Sequence, residues 1–373
     1  MRIIFTGITI ILFGISCGIF DSNGESSSFA KLYVTFQMTD EVAIYTPDLK
    51  LLKIIDIDFT DEHTNTPHFV VLDEENGYWF VTTIESGWVA QYSLSTDELI
   101  DTVHVGDFPA LMAIDTEDKE LYVSRMMGDA ETYIINKIDY NGERLTSTDI
   151  PLASPILHAI TMDVAKEYFF TASNVSDWIY RVGINGGQDL DVSMDPTNDD
   201  PEATNLEFKP IQCIAINDSL IAITCSAPRE EVKGQVQIWN GNDLTFISKY
   251  EFDTDSRPWH LIKSPVKDEV FVVLGSITEN GGVASLTFFE NDVGLMIFDD
   301  NWITPTEYNA LHGITVDAEG KYIFVSGRGD HMLYKFDAET GDELDSTPLE
   351  SDKGTVIAPA GISIMQSKCI NCE

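Results

Sequence analysis

Four of the seven histidines in this chain, His68, His158, His260 and His312, stand where repeated segments begin. Each heads an apolar run, as in Pro67-His68-Phe69-Val70-Val71 and His312-Gly313-Ile314-Thr315-Val316, and Pro258 lies two residues before His260. Side chains that share one repeat position converge when the repeats are arranged around an axis. Neutral imidazole is the commonest protein ligand for zinc, copper and iron, so one expectation is a bound transition-metal ion. The other is that the rings serve only backbone groups and water at the mouth of a channel. Ala110, Gln212 and Ala360 occupy the same position in the remaining repeats. Residues that follow the second apolar run of each repeat are expected on the same face. They are Arg125, Met126, Met127, Asn174, Arg328 and either Gln37 or Met38, a set of cations, amides and thioethers around a ligand.

No catalytic residue is assigned. The chain has no HExxH, no G-x-S-x-G elbow and no phosphate-cradling loop. The acidic stretch from Asp189 to Asp195, continuing to Asp199-Asp200, spaces oxygens as calcium loops do, but Met194 stands where the sharp turn needs glycine. A solvated acidic loop is expected there. Cys369-Ile370-Asn371-Cys372 lacks the histidine of a haem-attachment motif, which leaves a disulfide between Cys369 and Cys372 as the expectation. Cys213 and Cys225 lie on neighbouring runs of one repeat and read as two buried thiols, although they could also face each other.

The elements that position these residues repeat every 40 to 55 residues or so, the range of propeller blades. Residues 68–73, 111–115, 158–163, 213–217 and 312–317 are apolar at nearly every position, as strands buried on both faces are. Each is followed by a short turn and a β-branched, aromatic second strand, at 78–83, 121–125, 168–173, 270–275 and 322–327. Polar hairpins come next, with turn residues at Asn141-Gly142, Gly241-Asn242 and Gly341-Asp342. Innermost strands start near Pro67, Pro109, Ile156, Pro210, Pro258, Ala310 and Pro359. The pattern predicts an all-β, seven-bladed β-propeller with four-stranded blades over residues 31–365. Residues 31–57 look like strands two to four of a blade, and 360–364 like its missing first strand. The two ends would close the ring together.

Composition narrows the partners. With 62 acidic and 22 basic residues the formal charge is −40, so nucleic acid and anionic lipid surfaces are repelled. At the N-terminus Arg2 precedes an apolar run over residues 3–15, too short to span a membrane and followed by small residues, as a signal peptide over 1–16 should be. Gly14-Ile15-Ser16-Cys17 resembles the lipobox of bacterial lipoproteins, with Gly14 where leucine is usual. That resemblance implies lipidation at Cys17, a flexible tether over 17–30, membrane attachment by the lipid, and a periplasmic or cell-surface location. Residues 366–373 form a cysteine-containing tail.

The second strands Leu32-Tyr33-Val34-Thr35, Leu121-Tyr122-Val123-Ser124 and Ile323-Phe324-Val325-Ser326 resemble those of the YVTN-type seven-bladed propellers, as does the blade opening at His312-Gly313-Ile314-Thr315-Val316-Asp317. Relatives of that family include the propellers of nitrous oxide reductase and of haem-d1 proteins. The first of these implies copper held by histidines at such positions. This chain has too few histidines for that cluster, so that reductase activity is not expected. The resemblance specifies fold more than function. Three functions fit: a non-catalytic binding or scaffold protein with a small molecule or partner at the histidine-lined mouth, a metal-handling or redox protein, and a surface adhesion module.

Overall fold

The computed structural model describes residues 30–366, apart from 59, 61–63, 127–132, 205–206, 227–231, 254–255, 276–280, 291–295 and 306. Cys17, Met127, Cys369 and Cys372 lie outside the described residues, as do the signal peptide and all of the tail but Gln366. Among the described residues twenty-eight strands, β1 to β28 in chain order, form seven antiparallel four-stranded sheets. Six sheets are consecutive meanders. The seventh places β28 (Pro359–Met365) innermost, followed by β1 (Lys31–Phe36), β2 (Glu41–Tyr45) and β3 (Leu51–Asp56). Val34 pairs with Ile362 and Leu32 with Ile364, so both ends of the propeller close one blade, as expected.

Blades pack face to face, and the core is a series of inter-blade clusters. Between the closing blade and the next, Tyr33, Val42 and Ile44 meet Val70, Trp79, Val81 and Tyr92. Trp79 stacks on Tyr92 with centroids 4.0 Å apart and adds about 1 kcal/mol beyond its area burial. This packing covers three strands of each blade. Third strands such as Gln235–Asn240 are therefore buried almost throughout, contrary to the polar hairpin read from sequence, and the exposed alternation is confined to fourth strands. The first part of the stretch expected as an acidic loop is one of these, while residues 194–200 are turn and irregular backbone. Gln188–Ser193 is a fourth strand paired to Trp178–Gly183. Asp189 and Asp191 are exposed while Leu190 and Val192 are half-buried. Alternate aspartates there reflect the period of a strand at the solvent edge.

One feature repeats in all seven blades. The residue before each inner strand is left-handed: Thr66, Phe108, Ile156, Lys209, Arg257, Ala310 and Ala358 have φ between 44° and 57°. None is glycine, so each conformation costs about 1 kcal/mol. A register shift follows at the start of every inner strand. Where the second strand carries a hydroxyl, it ties this bulge to its neighbour. Thr35, Thr82, Ser124, Thr224 and Ser326 donate to the carbonyls of His68, Ala110, His158, Trp259 and Ala360 in the next blade, at 2.6–3.0 Å. The hydroxyl that ends the YVT-like motif is thus a clasp between blades. Gly361 fits here for lack of a side chain, since a Cβ would sit 2.6 Å from the His68 carbonyl.

Candidate functional site

Counting from the left-handed residue corrects the histidine register. His68, His158 and His312 stand two positions after it, but in the fifth blade that place belongs to Trp259 and His260 is one further on. The same shift puts Ile211, not Gln212, in line. The bulge lets two successive residues approach the axis, so the four rings still meet. Centroids are 6.1 Å apart for His68 and His158, 5.6 Å for His68 and His312, and 4.9 Å for His260 and His312. All contacts are edge-to-face and every ring is at least 94% buried.

Burial is the main reason these imidazoles stay uncharged. It brings His158 down to about 4 and His260 to about 3, in the latter with help from His158. Burial, then the neighbouring imidazoles and Arg328, hold His68 and His312 well below the usual histidine range. Their partners are specific. His158 Nδ1 lies 2.6 Å from the Ile211 carbonyl. Ala172 and Val273 stand where the other second strands carry the clasping hydroxyl, and at the Ala172 junction an imidazole donates instead. Gln37 Nε2 lies 2.7 Å from His68 Nδ1, and the Trp259 indole N–H donates to His312 Nε2 at 3.0 Å. His68 Nε2, His260 Nε2 and His312 Nδ1 are buried with no partner among the described residues.

Beside the cluster is a pocket of about 410 Å³ at the strand-entrance end of the channel. His68, His158 and His312 line it, with Gln37, Met126, Asn174 and Arg328 from the ends of the second strands and the loops after them. Arg125 does not. Its Nε donates to the Asp107 carbonyl, and it packs against Gly106. Gln212 lines a separate cavity of about 310 Å³ nearer the middle of the inner strands, where its Oε1 accepts the Leu261 N–H. Met38 is 64% exposed and does not line the pocket. Cys213 and Cys225 are buried free thiols, raised above the usual thiol range by burial.

Lys209 and Trp259 line the pocket too and are absent from the sequence-based set. Lys209 Nζ lies 5.8 Å from the centre of the Trp259 ring. The backbone of Lys209 is pinned by Asp177, which is fully buried and accepts the N–H groups of Glu207, Phe208 and Lys209 at 2.6–2.9 Å. The signal for both was the junction Lys209-Pro210 and the tryptophan beside His260. Arg328 donates to Gln37 Oε1, which orients the amide that meets His68. None of the thirteen lining residues is a carboxylate.

Among the described residues no group of three or more His, Cys, Asp or Glu side chains is placed to hold a metal ion. One ring nitrogen of His68 and one of His312 face an N–H donor, Gln37 Nε2 and Trp259 Nε1.

No family model matches the chain, and no curated protein matches it. Solved structures do. The periplasmic gluconolactonase of Pseudomonas aeruginosa superposes with a TM-score of 0.67 at 12% identity, over 91% of this chain and 99% of that one. A functionally unknown protein from Desulfotomaculum acetoxidans gives 0.67 at 11% identity, with the same coverage. The dihydro-haem d1 dehydrogenase NirN gives 0.55 at 12% identity, over 89% of this chain and 74% of that one. At such identities the likeness shows the fold alone.

Proposed function

We propose that this chain is an exported propeller, tethered to a membrane through an acylated Cys17, that binds a small organic anion at the channel mouth without turning it over. One observation carries the reading: in a protein with 62 acidic residues, the described residues that line the pocket include Arg328 and Lys209 and no carboxylate. A local positive site inside a strongly negative surface selects for an anion small enough to enter. The volume of about 410 Å³ lies within the range of small-ligand sites. Binding fits better than hydrolysis. At a pKa of about 4, His158 is too weak a base to activate water efficiently near pH 7. The second-strand motifs support descent from the YVTN-type propellers, and the shared fold of the Pseudomonas gluconolactonase makes a sugar acid a sensible probe.

Calorimetric titration with D-gluconate tests this. Wild-type protein should bind it, Arg328→Leu should weaken binding at least about tenfold, and added salt should weaken it further. D-Glucose should give no heat. Equal binding of glucose, or an unchanged Arg328→Leu variant, would overturn the reading. The tether is tested separately. Cys17→Ser should move the protein from the membrane pellet into the soluble exported fraction, and full retention in the pellet would remove the anchor.

A further inference from the structure

We infer that Trp259 and Gln37 set the proton positions of His312 and His68, so that the imidazole cluster offers N–H donors to the carboxylate of an organic acid and disfavours transition-metal ions. The inference rests on the small-anion reading above and extends it to how the site selects.

An indole nitrogen is only ever a donor. Trp259 Nε1–H donates to His312 Nε2 at 3.0 Å, so that nitrogen carries a lone pair and the proton of the neutral ring is on Nδ1. Gln37 is fixed from its other side. Its Oε1 accepts from Arg328, which never acts as an acceptor, so its amide N–H meets His68 Nδ1 at 2.7 Å. The His68 proton is therefore on Nε2. His312 Nδ1 and His68 Nε2 are the two nitrogens left buried and unpartnered. His158 is the reverse case: its Nδ1–H donates to the Ile211 carbonyl and its lone pair is on Nε2.

A divalent ion needs lone pairs from several rings at once. For His68 and His312 to supply them, each would have to move its proton onto a nitrogen that already faces an N–H. Two hydrogen bonds would become two donor–donor contacts. A carboxylate oxygen asks the opposite: its charge answers Arg328 and Lys209, and it accepts the two N–H groups, which are buried beside the pocket in the free site and come within its reach as the rings turn. Ile84, Met126, Leu311 and the Trp259 ring add an apolar wall, which the carbon skeleton of an organic acid can cover and inorganic phosphate cannot.

The test combines 15N NMR of histidine-labelled protein with calorimetry, using D-gluconate, citrate, benzoate, inorganic phosphate and Zn2+ as probes. The free protein should show His312 protonated on Nδ1 and His68 on Nε2, and a bound organic acid should shift both N–H resonances. Zn2+ should bind wild type weakly. The double variant Trp259→Phe with Gln37→Leu, which releases both protons to exchange sites, should bind Zn2+ at least about tenfold more tightly. The inference is overturned if either ring is protonated on the other nitrogen, if wild type takes up stoichiometric Zn2+ at neutral pH, or if phosphate binds as tightly as the best acid. It also falls if an acid binds and leaves both resonances unmoved, in which case the small-anion reading survives. If none of the three acids binds, that reading fails and the donor role fails with it.

Discussion

Removing residues 356–373 abolishes the folded, monomeric propeller. The deletion takes β28, and with it Ile357, Ala360, Ile362 and Ile364, all buried against neighbouring blades. At about 1.5–3 kcal/mol per large aliphatic side chain, the loss is on the order of 5–8 kcal/mol, comparable with the whole stability of an ordinary domain. The remaining ladder suffers as well. β1 loses its partner along five paired positions, and the Ser326 hydroxyl and the Val70 carbonyl each lose a hydrogen-bond partner in β28. An open blade with an unpaired edge invites association. Circular dichroism and size-exclusion chromatography should show an unfolded or aggregated product. A control lacking only residues 367–373 keeps every one of these contacts, including the bond from Gln366 Nε2 to the Val316 carbonyl, and should melt close to wild type. A soluble, cooperatively melting monomer from the longer deletion would refute closure by the two ends.

Acidification should unfold the protein before its carboxylates titrate. In the fold, all four clustered histidines are held below the ordinary value, His158 at about 4 and His260 at about 3. The unfolded chain titrates near 6.5. Below that pH it takes up protons which the fold refuses, so stability is full above about 6.5 and falls as pH drops. Each ring contributes on the order of 1–2 kcal/mol between pH 6.5 and 5, and the four together several kcal/mol. Relief of acidic repulsion works the other way, but ordinary carboxylates protonate near pH 4, mostly below this window. Calorimetry in buffers of different ionisation enthalpy should count about three to four protons taken up on unfolding at pH 5.5. An uptake of one proton or fewer would mean that the rings are charged or hydrated in the fold.

The blades were legible because the first two strands of each, covered on both sides, are apolar nearly throughout, and turn residues mark where they start and stop. The count of seven and the shared closing blade followed from this one pattern. The finer geometry was not legible. The left-handed residues before the inner strands are Thr66, Phe108, Ile156, Lys209, Arg257, Ala310 and Ala358, and no residue type marks them. Without them a bulge is invisible, which is why His260 looked equivalent to His68. Charge misled at Asp189 and Asp191, since an outermost strand can present acids to solvent as readily as a loop does. Lys209 was hidden for a different reason: it belongs to a pocket only because Asp177 holds its backbone there.

The closing blade also sets a clock. Val34 and Ile362 are partners at opposite ends of the described chain, so β1 has no inner neighbour until the last strand has been made. At typical synthesis rates that interval is roughly tens of seconds. Throughout it the segment Lys31-Leu32-Tyr33-Val34-Thr35-Phe36 is an uncovered, β-prone stretch with one charge, the kind of sequence that pairs with copies of itself. The excess of carboxylates along the rest of the chain then has a use before folding is complete. Nascent chains carrying up to forty net negative charges repel one another, which keeps such edges apart until each finds its own last strand.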